Sequence, residues 1–119
     1  MNDIRRIVTN SRRGRAVVHN GVLYIGGQTA ADKTQDIRGQ VRQTLARVEE
    51  ILAEAGTDKS KLLTAQIWIK DITRDFVGMN EVWDAWVDPE NAPTRATAEC
   101  VMGSPDVLFE VIFTAAVDN

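Results

Sequence analysis

The sequence predicts an α+β fold in which two helices cover one face of a β-sheet. Three observations point there. Apolar residues recur at helical spacing in two separate stretches, Ile37 to Ala55 and Phe76 to Trp86. Asn20-Gly21 separates two short apolar runs, and both positions tolerate the positive φ of a tight hairpin turn. From Val107 to Val117 apolar and mixed residues alternate with the two-residue period of a strand.

Taken in chain order, Ala16-Val17-Val18-His19 is the first predicted strand and Val22-Leu23-Tyr24-Ile25 its hairpin return. Gly26-Gly27-Gln28 follows, and the polar stretch to Gln35 is expected to be loop, with room for a short strand. Asp36 suits a helix N-cap. Ile37, Val41, Leu45, Val48, Leu52 and Ala55 form the apolar stripe of the first helix, and Gly56 is placed to stop it. Thr64 to Lys70 reads as a strand and Asp71-Ile72-Thr73 as a turn. Phe76, Met79, Trp83 and Trp86 form the stripe of a second helix, which Pro89 ends because its ring cannot continue the ladder. An aromatic stripe of this kind is core before it is a ligand cage. A strand follows Pro93, Gly103-Ser104-Pro105-Asp106 is a turn, and Val107 to Val117 is the last strand. In it Phe109, Val111, Phe113, Ala115 and Val117 face one way, and Leu108, Glu110, Ile112, Thr114 and Ala116 the other. Two helices cover only one face of such a sheet. The face carrying Leu108, Ile112 and Ala116 is therefore expected to be half wet or covered by another chain.

Length and composition narrow the functional classes. The 119 residues fit one domain, spanning 1–119. One cysteine, Cys100, and one histidine, His19, exclude an internal disulfide and a four-ligand Cys/His zinc site within the chain. No run approaches the roughly 20 apolar residues of a membrane span, and no apolar segment follows the first arginines as a secretory signal requires. The expected compartment is the cytoplasm. A net charge of −3 gives no electrostatic case for nucleic acid. Arg5, Arg6, Arg12, Arg13 and Arg15 cluster early, as a solvated segment or the rim of an anion pocket.

The chemistry concentrates at Thr94 to Cys100. Alternation there puts Arg95, Thr97 and Glu99 on one face and Ala96, Ala98 and Cys100 on the other. The small apolar set is expected to pack inward, with Cys100 as core. Arg95 can grip a carboxylate in a bidentate fork, with the Thr97 hydroxyl on the same wall. The competing reading is an edge-strand arginine in water or in a surface ion pair. His19, beside the turn, is expected to be a surface residue, not a base.

Six pieces in this order and spacing resemble the reactive intermediate deaminase (Rid, or YjgF/UK114) family over nearly the whole chain. They are Leu23 to Gln28, the helix Ile37 to Ala55 with Gly56, Gln66 to Asp71, Met79 to Trp83, Ala92 to Thr97, and the closing strand. Met79 to Val87, with Trp83-Asp84-Ala85-Trp86, resembles the small YoaB-related branch more than the RidA branch. The resemblance implies a chorismate-mutase-like fold and a homotrimer with a barrel-like centre and pockets between subunits. It further implies hydrolysis of 2-imino and 2-enamino acids such as 2-aminoacrylate to 2-oxo acids and ammonia, a 2-iminobutanoate/2-iminopropanoate deaminase-type reaction that uses no metal or organic cofactor. By the same resemblance Arg95 binds the substrate carboxylate, Thr97 is the second catalytic candidate, and Gly26 and Gly27 line the pocket after the hairpin. One departure stands out: Ile112 occupies the position of the RidA branch's water-orienting glutamate. Glu110 faces the same way but lies two residues earlier, roughly 7 Å along an extended strand. Glu110 and Ile112 complete the candidate pocket lining. Weak hydrolysis is expected, with two rivals: a trimer that binds small carboxylates or oxo acids without turnover, and a Rid-fold hydrolase of a related substrate.

Overall fold

A computed structural model describes residues 3–118. Its strands are β1 (Arg5–Thr9), β2 (Gly14–His19), β3 (Val22–Gln28), β4 (Leu62–Ile69), β5 (Thr94–Glu99) and β6 (Phe109–Ala116). Helix α1 (Ile37–Ala55) joins β3 to β4 through a 3-10 turn at Lys59–Lys61, and helix α2 (Ile72–Trp86) joins β4 to β5. All six strands form one sheet in the order β1-β2-β3-β6-β4-β5. Every pairing is antiparallel except β4 with β5, the parallel pair that α2 bridges.

Both helices pack on one face. Leu23, Ile25, Ile67, Ile69, Phe109, Val111 and Phe113 of the sheet meet Val41, Leu45, Val48 and Leu52 of α1 and Met79 and Trp83 of α2 in one buried cluster. Each such large side chain contributes about 1.5–3 kcal/mol when fully buried. Helix α1 begins and ends where its stripe does. The Asp36 carboxylate accepts from the Gly39 N–H, and Gly56 ends the helix at φ 88° with its N–H on the Ala53 carbonyl. The hairpin turn is also as expected, with Asn20 at φ 53° and Gly21 at φ 78°.

Several elements depart from the sequence expectation. Strand β1 was not foreseen. Only Ile7 in Arg-Arg-Ile-Val-Thr is buried, so alternation is hidden among charges, and the strand exists because it pairs with β2. Strand β3 continues through Gln28, β4 runs from Leu62 rather than Thr64, and β6 starts at Phe109 rather than Val107. The expected turn at Asp71-Ile72-Thr73 is the start of α2: Asp71 caps it by accepting from the Arg74 N–H. Asp75, Gly78, Met79, Val82 and Trp83 form the buried side of α2, while Phe76 is 37% exposed at its margin. Leu108, which precedes β6, packs against the helix-side core instead of joining Ile112 on the open face. Its N–H donates to the Gln40 side-chain oxygen. The Gln40 amide nitrogen reaches the carbonyls of Lys33, Gln35 and Asp106, so one buried side chain ties two connecting loops together.

Candidate functional site

Register places the Arg95 strand. Arg95, Thr97 and Glu99 lie opposite Ala65, Ile67 and Ile69 of β4, all three buried under the helices. The Arg95 set therefore faces the helices. Ala96 and Ala98 are exposed on the open face, which corrects the expectation that they pack inward. The reason is that α2 crosses the other face of β5, the edge strand, and nothing among the described residues covers its open face. Cys100 is half-buried and lies past the end of β5, not in the core.

Arg95 is half-buried without an acidic partner. Its guanidinium carbon sits 5.3 Å from the centre of the Trp83 ring, within cation–π range. Among the described residues no carboxylate forms an ion pair with it. Burial pushes the guanidinium below its ordinary value, and the charge of Asp84 opposes the shift. Two residues on, the Thr97 hydroxyl is buried and has no hydrogen-bond partner among the described residues. Leaving such a group unsatisfied costs about 1–3 kcal/mol. Glu99 is engaged within the chain, its carboxylate accepting from the Ile72 N–H at the start of α2.

Trp83 is the residue that sequence reasoning did not connect to the site. Its place in an apolar stripe identified it only as core. The usable signal is the parallel β4–α2–β5 unit: the helix runs back along the strands, so its last turns lie over the first residues of β5. Trp83 in turn stacks on Phe113, with centroids 5.9 Å apart and planes at 9°, and packs against Trp86 at 5.7 Å.

A second cluster forms on the opposite face. The β3–β6 register shifts between Ile25 and Gln28, and Gly26 and Gly27 lie in that irregular stretch. A Cβ on Gly27 would overlap the Glu110 carboxylate, so the absence of a side chain is what admits Glu110. Gly26 has ordinary room by comparison. Burial raises the Glu110 carboxyl above its usual value, and the charge of Arg13 pulls the other way. Ile112, opposite Gln66 of β4, is half-buried on the same face.

The candidate residues thus fall into two groups. Arg95 and Thr97 face the helices from β5; Gly27, Glu110 and Ile112 face away from them on β3 and β6, with β4 between. Two open concavities on the helix side and beside the end of β5 contain none of them. One, of about 590 Å³, lies between the helices and is lined by Arg42, Glu81 and Trp86; the other, of about 570 Å³, lies around Lys70, Cys100 and Met102. The two groups lie on opposite faces of the sheet and line neither concavity together. His19 is half-buried at the end of β2, its Nε2 3.3 Å from the Asn20 amide, away from both groups. Among the described residues no cluster of three His, Cys, Asp or Glu side chains could hold a metal ion, and no helix is long and apolar enough to cross a membrane.

Comparison with known proteins places the chain. The endoribonuclease L-PSP family model matches residues 4–117. A RutC family protein of Haemophilus ducreyi is 35% identical over 116 residues, covering 98% of both chains. The RutC family protein YoaB of Escherichia coli is 36% identical over 114 residues, 96% of this chain and 98% of that one. Among solved structures, NMB1025 of Neisseria meningitidis, described as a member of the YjgF protein family, superposes with a TM-score of 0.94 at 34% identity, covering 98% of this chain and 97% of that one. An uncharacterized protein of Pseudomonas aeruginosa matches equally, with a TM-score of 0.94 and 34% identity over 98% and 100% of the two chains. With two helices on a six-stranded mixed sheet, and with relatives matched along almost their whole length, the chain belongs to the endoribonuclease L-PSP, or YjgF/Rid, family, on its YoaB-like branch.

Proposed function

We propose that the protein hydrolyses reactive 2-imino and 2-enamino acids to 2-oxo acids and ammonia, in pockets between the subunits of a homotrimer. The observation that carries this reading is Arg95: half-buried, held over an aromatic ring and free of any ion pair with a carboxylate of the described residues, beside an unpartnered Thr97 hydroxyl. A planar cation so placed suits a small carboxylate. The reaction itself asks little. Water adds to the C=N carbon, a proton reaches the nitrogen, the carbinolamine loses ammonia, and the C=O of the oxo acid remains. Imines hydrolyse readily in water, so holding the acid and orienting one water supplies much of the catalysis. Arg95 holds the carboxylate and Thr97 orients the water or the imine nitrogen. Gly26, Gly27, Glu110 and Ile112 of a second copy line the other wall. The family's name mentions an endoribonuclease, but a net charge of −3 argues against a nucleic-acid partner.

Ammonia release from imines freshly generated by an amino-acid oxidase tests the reading. Wild type is expected to accelerate release above the uncatalysed rate, less than RidA-branch proteins do, since Ile112 replaces their glutamate. Arg95→Lys keeps the charge but loses the fork, and is expected to lower kcat/KM by about 10- to 100-fold, the range for a charged hydrogen bond. Full activity in Arg95→Ala would refute the clamp. A second reading is favoured by one observation: no acid or base among the described residues hydrogen-bonds the Thr97 hydroxyl. Oxo-acid binding that depends on Arg95, with no ammonia from any imine, would establish that binding role instead.

A further inference from the structure

We infer that Trp83 is a positioning residue for Arg95, holding its guanidinium ready for a ligand carboxylate; this rests on the clamp reading of Arg95. An arginine in a clamp is usually fixed by an acidic neighbour. Here a ring face lies 5.3 Å from the guanidinium carbon, and no carboxylate of the described residues forms an ion pair with it. Trp83 is itself packed in the core, 5% exposed and nearly parallel to the ring of the fully buried Phe113. Its position is thus fixed by the sheet, and it passes that order to the edge strand. A ring contributes something a carboxylate would not. It attracts the cation through its face without occupying the N–H donors, so the fork is held in place and still unsatisfied. An acidic partner would compete with the ligand for those donors. The arrangement also lowers the ordering cost of binding, because a long side chain is already restrained before the ligand arrives.

The test measures pyruvate affinity by calorimetry, so it needs no turnover. Trp83→Leu keeps an apolar side chain in the core but removes the ring face. It is expected to weaken binding by about 5- to 30-fold, the range of a desolvated cation–π contact. On an imine substrate the same loss should enter KM, with kcat within about twofold. Trp83→Phe is expected to recover most of the affinity. A merely structural role would lower the folded fraction in Trp83→Leu and leave the dissociation constant of the folded protein unchanged. Should Trp83→Leu fail to fold, fluorinated tryptophans keep the core intact while draining electron density from the ring. Affinity is expected to fall stepwise with fluorination in wild type and to stay flat in equally labelled Trp83→Phe. Affinity indifferent to fluorination, or a folded Trp83→Leu that binds as wild type does, overturns the inference. Arg95→Ala separates the two claims: undiminished pyruvate binding in that variant, or none in wild type, overturns the clamp and this inference with it.

Discussion

Gly27 and Glu110 form a pair in which one residue's missing side chain is the other's space. Gly27→Ala would put a Cβ where the Glu110 carboxylate lies, and the carboxylate is the flexible end of its side chain. The expected result is displacement, not unfolding: stability should change by less than about 1 kcal/mol. The Glu110 carboxyl, moved toward solvent, should titrate closer to its ordinary value, as carboxyl carbon NMR can follow. The raised pKa also has a thermodynamic sign. Folded Glu110 binds more protons than unfolded Glu110 in the window that begins near the ordinary 4.5 and extends upward. Stability contributed by this group therefore falls as pH rises through that window. Glu110→Gln does not titrate, so urea midpoints of the isolated fold should shift in favour of the variant between about pH 4 and about pH 7. Equal midpoint differences at both pH values would contradict the shift. Sequence parity put Glu110 and Ile112 on one face, where they lie. It could not show that Glu110 leans across to Gly27, because that depends on an irregular β3–β6 register.

At the scale of elements, α2 and β5 depend on each other. Asp71 and Glu99 both accept backbone N–H groups in the first turn of α2, one from its own end and one from the end of β5. Asp71→Ala is expected to cost about 0.5–2 kcal/mol in urea unfolding, as loss of an N-cap does. A change within error would mean that Glu99 alone satisfies the helix start. The sequence showed α1 to within a residue because stripe, Asp36 cap and Gly56 stop agree. It misplaced the start of α2 because Asp-Ile-Thr suits a turn as well as a cap, and only the distant Glu99 decides between them. The inward side of β5 was misread for a related reason. Ala96 and Ala98 are small enough for a core, but the buried face was set by which side α2 crosses, a matter of tertiary structure.

For the whole molecule, the face of the sheet away from the helices decides assembly. It carries Ile112 and Ala116, half-buried, Tyr24 at 50% exposure, and the Thr64–Thr114 hydroxyl pair at 2.6 Å. The proposed trimer covers it. Ile112→Asp would place an unpaired carboxylate there, and light scattering at micromolar concentration is expected to show loss of the assembly. A wild-type protein that scatters as a monomer would refute the trimer. Strand parity alone paired Arg95 with Thr97 and Glu110 with Ile112 in the sequence. The separation of the two pairs onto opposite faces was not legible, since strand order, with β6 inserted between β3 and β4, leaves no local trace.

That inserted strand has a consequence for synthesis. β3 and β4 do not pair with each other; each pairs with β6. Until residues 109–116 have left the ribosome, the chain holds two unconnected half-sheets, β1-β2-β3 and β4-β5, each exposing an unpaired edge. Neither helix has a complete floor to rest on. The fold must therefore close after the last described strand emerges, and a nascent chain halted before it presents two sticky edges that only a holding chaperone would keep apart.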